Sequence, residues 1–280
     1  MNISGKVALV TGGAGGIGKA LVEILLQKHA KAIFMVDIDE DGLKLAQQEF
    51  EKEFGAGKVH ICKCDVSSKE QMEDCFKNVI SAYGELHIVC NNAGICDEID
   101  WEKTLDVNLR GVIIGTKLAV QYMQGDTGGG GVIINTSSFA GLSLFPSLPI
   151  YSTTKLAIIG FSRQIATFDA LVAKKKIRVN VICPHTVDTP IFTKMKKEKV
   201  YVPVMEDTAG IVQNMSTPQE FAQHYMKLIE ESHHGDTMYV PAENAQKTEL
   251  IADETKGFRE HIGLADSFLK LRDAASMQAS

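Results

Sequence analysis

Five glycines fall within the eight residues Thr11-Gly-Gly-Ala-Gly-Gly-Ile-Gly18, between an apolar run Val7–Val10 and a helical pattern over Ile17–His29. A strand, a glycine-rich turn and a helix in direct succession leave few folds open. Glycines let backbone N–H groups come close to a phosphate, at a helix N-terminus whose dipole favours anions. The stretch therefore predicts a strand-to-helix unit of a parallel sheet. Its anion cradle comprises Gly12, Gly13, Ala14, Gly15, Gly16, Ile17 and Gly18, with a plain tight turn as the lesser alternative.

The same unit recurs along the chain. Strand-like runs at Ala32–Val36, Val59–Asp65, Leu86–Cys90, Val132–Thr136, Arg178–Cys183 and Thr237–Val240 are separated by helical patterns. These patterns lie at Asp39–Phe54, from Ser68 to about Tyr83, at Trp101–Met123, at Tyr151–Val172 and from Thr217 onward. Ser68-x-x-Gln71 and Thr217-Pro218-x-Glu220 read as capping boxes. Such alternation implies right-handed βαβ units. The expected fold is α/β: a doubly wound parallel sheet of about seven strands, helices on both faces, in a single domain over residues 1–280. Residues 189–216 break the rhythm with two prolines and several large apolar side chains, which suits a lid over a binding site. Residues 241–280 form a C-terminal extension, with a helical pattern at Phe258–Asp273 and no assigned role.

Bulk properties narrow the partners. The net charge is -6, which argues against nucleic acid or an anionic membrane. No apolar run is long enough for a membrane span, and the first residues lack a secretion signal, so a cytoplasmic protein is expected. The six cysteines sit mostly in apolar runs and read as reduced, buried thiols. Cys62-Lys-Cys64 lies inside a strand with no second Cys/His pair at ligand spacing, so packing is favoured and no metal is expected.

Two further features carry chemistry. The second strand ends in Asp37, where a carboxylate suits the ribose hydroxyls of a dinucleotide and repels a 2′-phosphate. Ile38 follows, with no cation, which favours NAD over NADP. Tyr151 and Lys155 are four residues apart in a helical pattern and share one face. A fixed ammonium one turn away favours the phenolate, which brings a phenol into range for acid/base work.

Taken in order, Thr11-Gly-x-x-x-Gly-x-Gly18, Asn91-Asn-Ala-Gly94, Asn108, Ser138 and Tyr151-x-x-x-Lys155 resemble the short-chain dehydrogenase/reductase family, over about residues 5–190. Within it, Trp101-Glu-Lys-Thr-Leu105 and Ile133-Ile-Asn-Thr-Ser-Ser138 resemble the branch of NAD-dependent 15-hydroxyprostaglandin dehydrogenases and the related insect alcohol and retinol dehydrogenases. The resemblance implies a Rossmann-type fold and an NAD-dependent alcohol dehydrogenase with the catalytic residues Asn108, Ser138, Tyr151 and Lys155. It implies that Cys64, Asp65 and Val66 lie at the adenine, Asn91, Asn92, Ala93 and Gly94 on the adenosine side, and Pro184, Val187 and Thr189 at the nicotinamide. A homodimer or homotetramer through the helices near 101–123 and 151–172 is implied as well.

Two departures stand out. His185 replaces the family's usual Gly after Pro184; a tolerated substitution is favoured, and substrate contact is the alternative. Leu148 replaces a polar residue three positions before the tyrosine. With Phe139, Leu142, Leu144, Phe145 and Ile150 it predicts an apolar pocket, which suits a retinoid, isoprenoid, steroid or fatty alcohol better than a polar prostaglandin chain, although a prostaglandin-like alcohol stays within the lipophilic class. The competing functions are a non-catalytic NAD-binding member, weakened by the complete catalytic set, and an NADP-dependent carbonyl reductase, disfavoured by Asp37.

Overall fold

The computed structural model describes residues 1–123, 130–143, 145, 147–167, 176–193, 215–241 and 248–251. Residues Met1–Leu250 make one compact unit. Most of the expected lid (194–214), Leu144, residues 168–172 of the expected helix, and Phe258–Asp273 lie outside the described residues.

The repeating unit predicted from the glycine loop is what the chain builds. It runs β1 (Val7–Thr11), α1 (Gly16–Gln27), β2 (Ala32–Asp37), α2 (Glu40–Phe54), β3 (Val59–Lys63), α3 (Lys69–Tyr83) and β4 (Ile88–Asn91). Then come α4 (Trp101–Leu105), a π turn at Asp106–Arg110, α5 (Gly111–Tyr122) and β5 (Gly131–Thr136). A 3-10 turn at Phe139–Gly141 leads into α6 (Pro149–Ile165) and β6 (Ile177–Pro184). After one helical turn at Pro190–Thr193 come α7 (Pro218–Glu230), β7 (Thr237–Val240) and β8 (Glu249–Leu250).

The strands form one sheet in the order β3-β2-β1-β4-β5-β6-β7-β8. All neighbours are parallel except β8, which pairs antiparallel to β7 through Met238–Leu250 and Tyr239–Glu249. That two-residue edge is the eighth strand, where about seven were expected; the apolar run at Leu250 is only three residues long and does not announce it. The chain moves outward from β1 in one direction and then, from β4, in the other. Crossovers therefore cover opposite faces, and a crevice opens at the carboxyl ends of β1 and β4.

Both faces of the sheet are dry, which is why the central strands read as unbroken apolar runs. On β1, Ala8 and Val10 point into one cluster with Leu21, Leu25, Leu43, Phe221 and Tyr225. Val7 and Leu9 point into the other, with Met72, Phe76, Leu118 and Ala119. Each fully buried Leu or Phe contributes about 1.5–3 kcal/mol, so the two clusters dominate the stability of the fold. The cysteines fill this core: all six are free, and all but Cys96 are buried. No group of three or more His, Cys, Asp or Glu suited to a metal occurs among the described residues. No described helix is long and apolar enough to cross a membrane.

Local signals were mostly read correctly by the chain. Thr217 and Glu220 form the reciprocal capping box at α7. At α3 only half of the expected box forms: Ser68 accepts from the Gln71 N–H, while Gln71 Oε1 turns to the Asp65 N–H at 2.8 Å. The Ser68 N–H is already bonded to the Asp65 carbonyl, so the side chain takes the free donor.

Candidate active site

The glycine loop is locked to β4 before it reaches any ligand. Thr11 Oγ1 accepts from the N–H groups of Asn92 and Ala93 at 2.9 and 3.0 Å, and Asn92 Nδ2 donates back to the Thr11 carbonyl at 3.1 Å. Gly12 has φ +71°, in the left-handed region. At Gly18 a Cβ would stand 2.0 Å from the Gly12 carbonyl oxygen, so only glycine lets the loop fold back onto the first turn of α1. That turn has no side-chain cap and no acidic residue, so its N–H groups are left to an anion. A Cβ on Gly15 would meet nothing within 4 Å, which is the open space a pyrophosphate needs. The residues present fit a dinucleotide.

Asp37 sits at the mouth of this loop. One carboxylate oxygen accepts from the Ala14 N–H at 3.0 Å and the other from the Asp39 N–H at 3.1 Å. The loop after β6 closes the far side, bringing Thr189 against Gly16, where an added Cβ would lie 3.2 Å from Thr189 Cγ2. Val187 is held there by a bridge to Ser216.

Next to the crevice, three elements bring Ser138, Tyr151 and Lys155 together. Ser138 lies two residues after β5, where it caps the 3-10 turn and accepts from the Ala140 N–H. The turn it opens lies directly on α6, because a Cβ on Gly141 would stand 2.7 Å from the Lys155 carbonyl carbon. Ser137 Oγ donates to the Lys155 carbonyl at 2.7 Å and tightens the same contact. Tyr151 and Lys155 are both buried, with the ammonium 5.4 Å from the centre of the phenol ring. Lys155 Nζ donates to the Thr136 carbonyl at 3.1 Å.

The electrostatics differ from the sequence expectation. Burial pushes the Tyr151 phenol up from its ordinary range, with the Cys96 thiol adding to the rise and Ser138 opposing it as a hydrogen-bond partner. Burial also pulls Lys155 down to about 8. Burial is the leading cause for both groups: the lysine is itself only 3% exposed and is directed at a backbone carbonyl.

Asn108 lies in a π turn within the expected helical stretch 101–123, where the resemblance implied a kink. Its amide clamps Ile95 from both sides, accepting from the N–H at 2.8 Å and donating to the carbonyl at 2.9 Å. It also donates to Thr154 Oγ1 at 3.2 Å, in the turn between Tyr151 and Lys155. A Cβ on Gly94 would lie 3.3–3.4 Å from Asn108 Oδ1 and Lys155 Nζ, so the Asn92–Gly94 strip and α6 share one wall. Single π turns inside helices recur at functional sites, and this one aims the asparagine.

Some expected contacts are taken up elsewhere. The Asn91 side chain donates to Asn135 Oδ1 at 2.8 Å and Thr116 Oγ1 at 3.2 Å beneath α5. The Cys64 side chain belongs to the core cluster under α3, while Val66 packs on Gly111. Asp65 is held by Ser67 and Gln71. Ile38 is 63% exposed. Pro184 is the last residue of β6. His185 stacks on Phe139 at 4.6 Å and neighbours Tyr239. Its backbone N–H donates to the Val240 carbonyl at 3.0 Å. Leu148 packs with Ala140, Tyr151, Cys96 and Phe145.

One functional neighbour escaped the sequence reading altogether. Glu98 is 3% exposed and accepts from the N–H groups of Ile150 and Tyr151 at 2.9 and 2.8 Å. Its only trace in the sequence was its place in the short stretch between Gly94 and Trp101.

Residues 6–200 match the family of short chain dehydrogenases. This chain belongs to that family, and its fold and site are those of an oxidoreductase. It is 45% identical to the 15-hydroxyprostaglandin dehydrogenase [NAD(+)] of Mus musculus over 71% of its own length and 74% of the relative's. It is 34% identical to 3beta-hydroxysteroid dehydrogenase 2 of Eggerthella lenta over 79% and 86%. A solved 3-ketoacyl-(acyl-carrier-protein) reductase from Brucella melitensis complexed with NADH has the same fold. It superposes with a TM-score of 0.74 at 23% identity, covering 87% of this chain and 99% of that one.

Proposed function

We propose that this protein is an NAD-dependent dehydrogenase interconverting a lipophilic alcohol and its ketone or aldehyde. The observation that carries this is the buried meeting of Ser138, Tyr151 and Lys155 beside the crevice at β1 and β4. The glycine loop, Asp37, Asp65, Val66, the Asn92–Gly94 strip, Pro184, Val187 and Thr189 would hold the dinucleotide. Bound there, the dinucleotide would supply a hydride acceptor for the carbinol carbon and a positive charge.

The chain's own residues handle the proton. Ser138 donates a hydrogen bond to the substrate oxygen, and Tyr151 takes the hydroxyl proton in oxidation or returns it in reduction. Lys155 places positive charge one helical turn from the phenol and opposes the burial that holds it protonated. Asn108 fixes the strip at Ile95 against the turn that carries both groups.

The substrate side supports a lipophilic alcohol. Leu148 and Phe145 pack at Tyr151, and Phe139, Phe145, His185 and Tyr239 form a continuous aromatic set. The names of the two relatives, a prostaglandin and a hydroxysteroid dehydrogenase, point to the same substrate class. A panel of retinoid, steroid, isoprenoid, fatty and prostaglandin alcohols with NAD⁺, followed by NADH absorbance, tests this. At least one is expected to be oxidised; silence across the whole panel would overturn the proposal.

Cofactor choice rests on Asp37. Titration of NADH and NADPH against intrinsic fluorescence should show tighter NADH binding. Asp37→Ala should weaken NADH by roughly 10–100-fold, the equivalent of one charge-assisted hydrogen bond. It should leave NADPH binding equal or stronger, because the repulsion is gone. Tighter NADPH binding by the unmodified protein would contradict the role of this carboxylate.

A further inference from the structure

Helix α6 carries Tyr151 at its third position and Lys155 one turn later, yet its own sequence supplies no cap. The residue before it is Leu148, with no side-chain cap hydrogen bond. Pro149 opens the helix and has no N–H to satisfy. The Ser152 N–H is already bonded to the Leu148 carbonyl at 2.9 Å. Two donors are therefore left, on Ile150 and Tyr151, and both are covered by the two oxygens of Glu98 at 2.9 and 2.8 Å. Glu98 comes from the loop after β4, more than fifty residues earlier in the chain, and it is 3% exposed.

From this geometry we infer that Glu98 is a positioning residue for the phenol. A carboxylate that takes both free donors of a helix start satisfies buried polar groups, and its charge matches the positive end of the helix dipole. Because one of those donors is the N–H of Tyr151 itself, the clamp sets where the phenol stands relative to Ser138. The loop that carries Glu98 is anchored in turn: Thr104 Oγ1 donates to the Asp97 carbonyl at 2.6 Å. Asp97 Oδ1 accepts from the N–H groups of Ile99 and Asp100. A few residues earlier, Ile95 is held by Asn108. The strip that faces the dinucleotide and the clamp on the catalytic helix are thus one continuous segment, 92–98. Glu98 acts through Tyr151 and touches no reacting atom, so its removal should reduce the chemical step and spare binding.

This inference rests on the dehydrogenase assignment, and the test separates the two. Amide hydrogen exchange is measured on the full-length protein with NADH, for peptides spanning the start of α6. Glu98→Ala should raise exchange at Ile150 and Tyr151 by at least tenfold and leave the core strands unchanged. With an alcohol found in the panel, Glu98→Ala should lower kcat by roughly 30-fold or more. The KM for alcohol and the Kd for NADH should stay within about threefold, and a primary deuterium isotope effect on kcat should appear or grow. Glu98→Gln, which keeps one acceptor, should fall between the two. Unchanged exchange at Ile150 and Tyr151 would overturn the clamp. A kcat within twofold of the unmodified protein, or a loss of kcat matched by equal losses of NADH affinity and melting temperature, would overturn the positioning role. If no alcohol is oxidised by the unmodified protein, the dehydrogenase assignment fails instead, and the exchange data alone decide whether the clamp exists.

Discussion

Replacing Tyr151 with Phe is expected to lower kcat by about a thousandfold or more, within the range that one positioned acid/base group supplies. NADH affinity should stay within about twofold. The substitution removes one oxygen and keeps the ring. The interactions that hold this part of α6 use the backbone of residue 151: its N–H donates to Glu98 and its carbonyl accepts from Thr154 Oγ1. Folding should therefore be undisturbed, and the variant separates chemistry from packing. The pH dependence has a defined sign. Burial raises the phenol and so favours its neutral form, while oxidation needs the basic form. The rate of oxidation should accordingly climb with pH, and that limb should vanish in the variant. Steady-state kinetics across pH, fluorescence titration of NADH and a melting curve check the three statements. Substantial turnover by the variant would remove the phenol from the mechanism.

Gly18→Ala should abolish cofactor binding more completely than any change of charge around the loop. The added methyl would lie 2.0 Å from the Gly12 carbonyl oxygen and 2.9 Å from Asn92 Nδ2. A backbone atom cannot rotate away, so the turn has to open. Opening it breaks the reciprocal bonds between Thr11 and Asn92 and moves the N–H groups that face the pyrophosphate. NADH affinity should fall by at least about a hundredfold, equivalent to roughly 3 kcal/mol. Stability should drop by about 1–3 kcal/mol, as for other overpacked sites. Gly15→Ala is the control for folding alone, because a Cβ there meets no protein atom within 4 Å; its melting temperature should be near that of the unmodified protein. Equal NADH affinity in Gly18→Ala and the unmodified protein would show that the loop is not the cradle.

Much of the site was readable before any coordinates because it depends on spacing along the chain. The glycine loop could be read because strand, turn and helix follow one another without interruption. Tyr151 and Lys155 could be read because a helix places residues four apart on one face, and the protein buries both of them there. Leu148 and Phe145 were expected in an apolar pocket and do pack at the phenol. Less legible were the places where a side chain had more than one possible partner. Asn91 looked like part of the nucleotide-facing strip, but Thr116 and Asn135 claim its amide beneath α5. Gln71 looked like half of a capping box, but the Asp65 N–H was the donor without a partner. Lys155 was expected to lower the phenol, and what spacing could not show is that the two groups are buried together, with burial raising the phenol.

The sequence by itself determined the α/β class, the loop that only glycine can form, the acid at the end of β2 and the Tyr–Lys pair. Each of these is written in residues no more than a few turns apart, where covalent geometry does the placing. Only the tertiary structure decided how α6 begins, since the helix carries no cap of its own and Glu98 reaches it from the loop after another strand. It also decided that Asn108 stands in a π turn and ties Ile95 to that helix, and that β8 adds an antiparallel edge. These contacts join segments far apart in the chain, and which donor meets which acceptor follows from the packed sheet and helices, which no local pattern encodes.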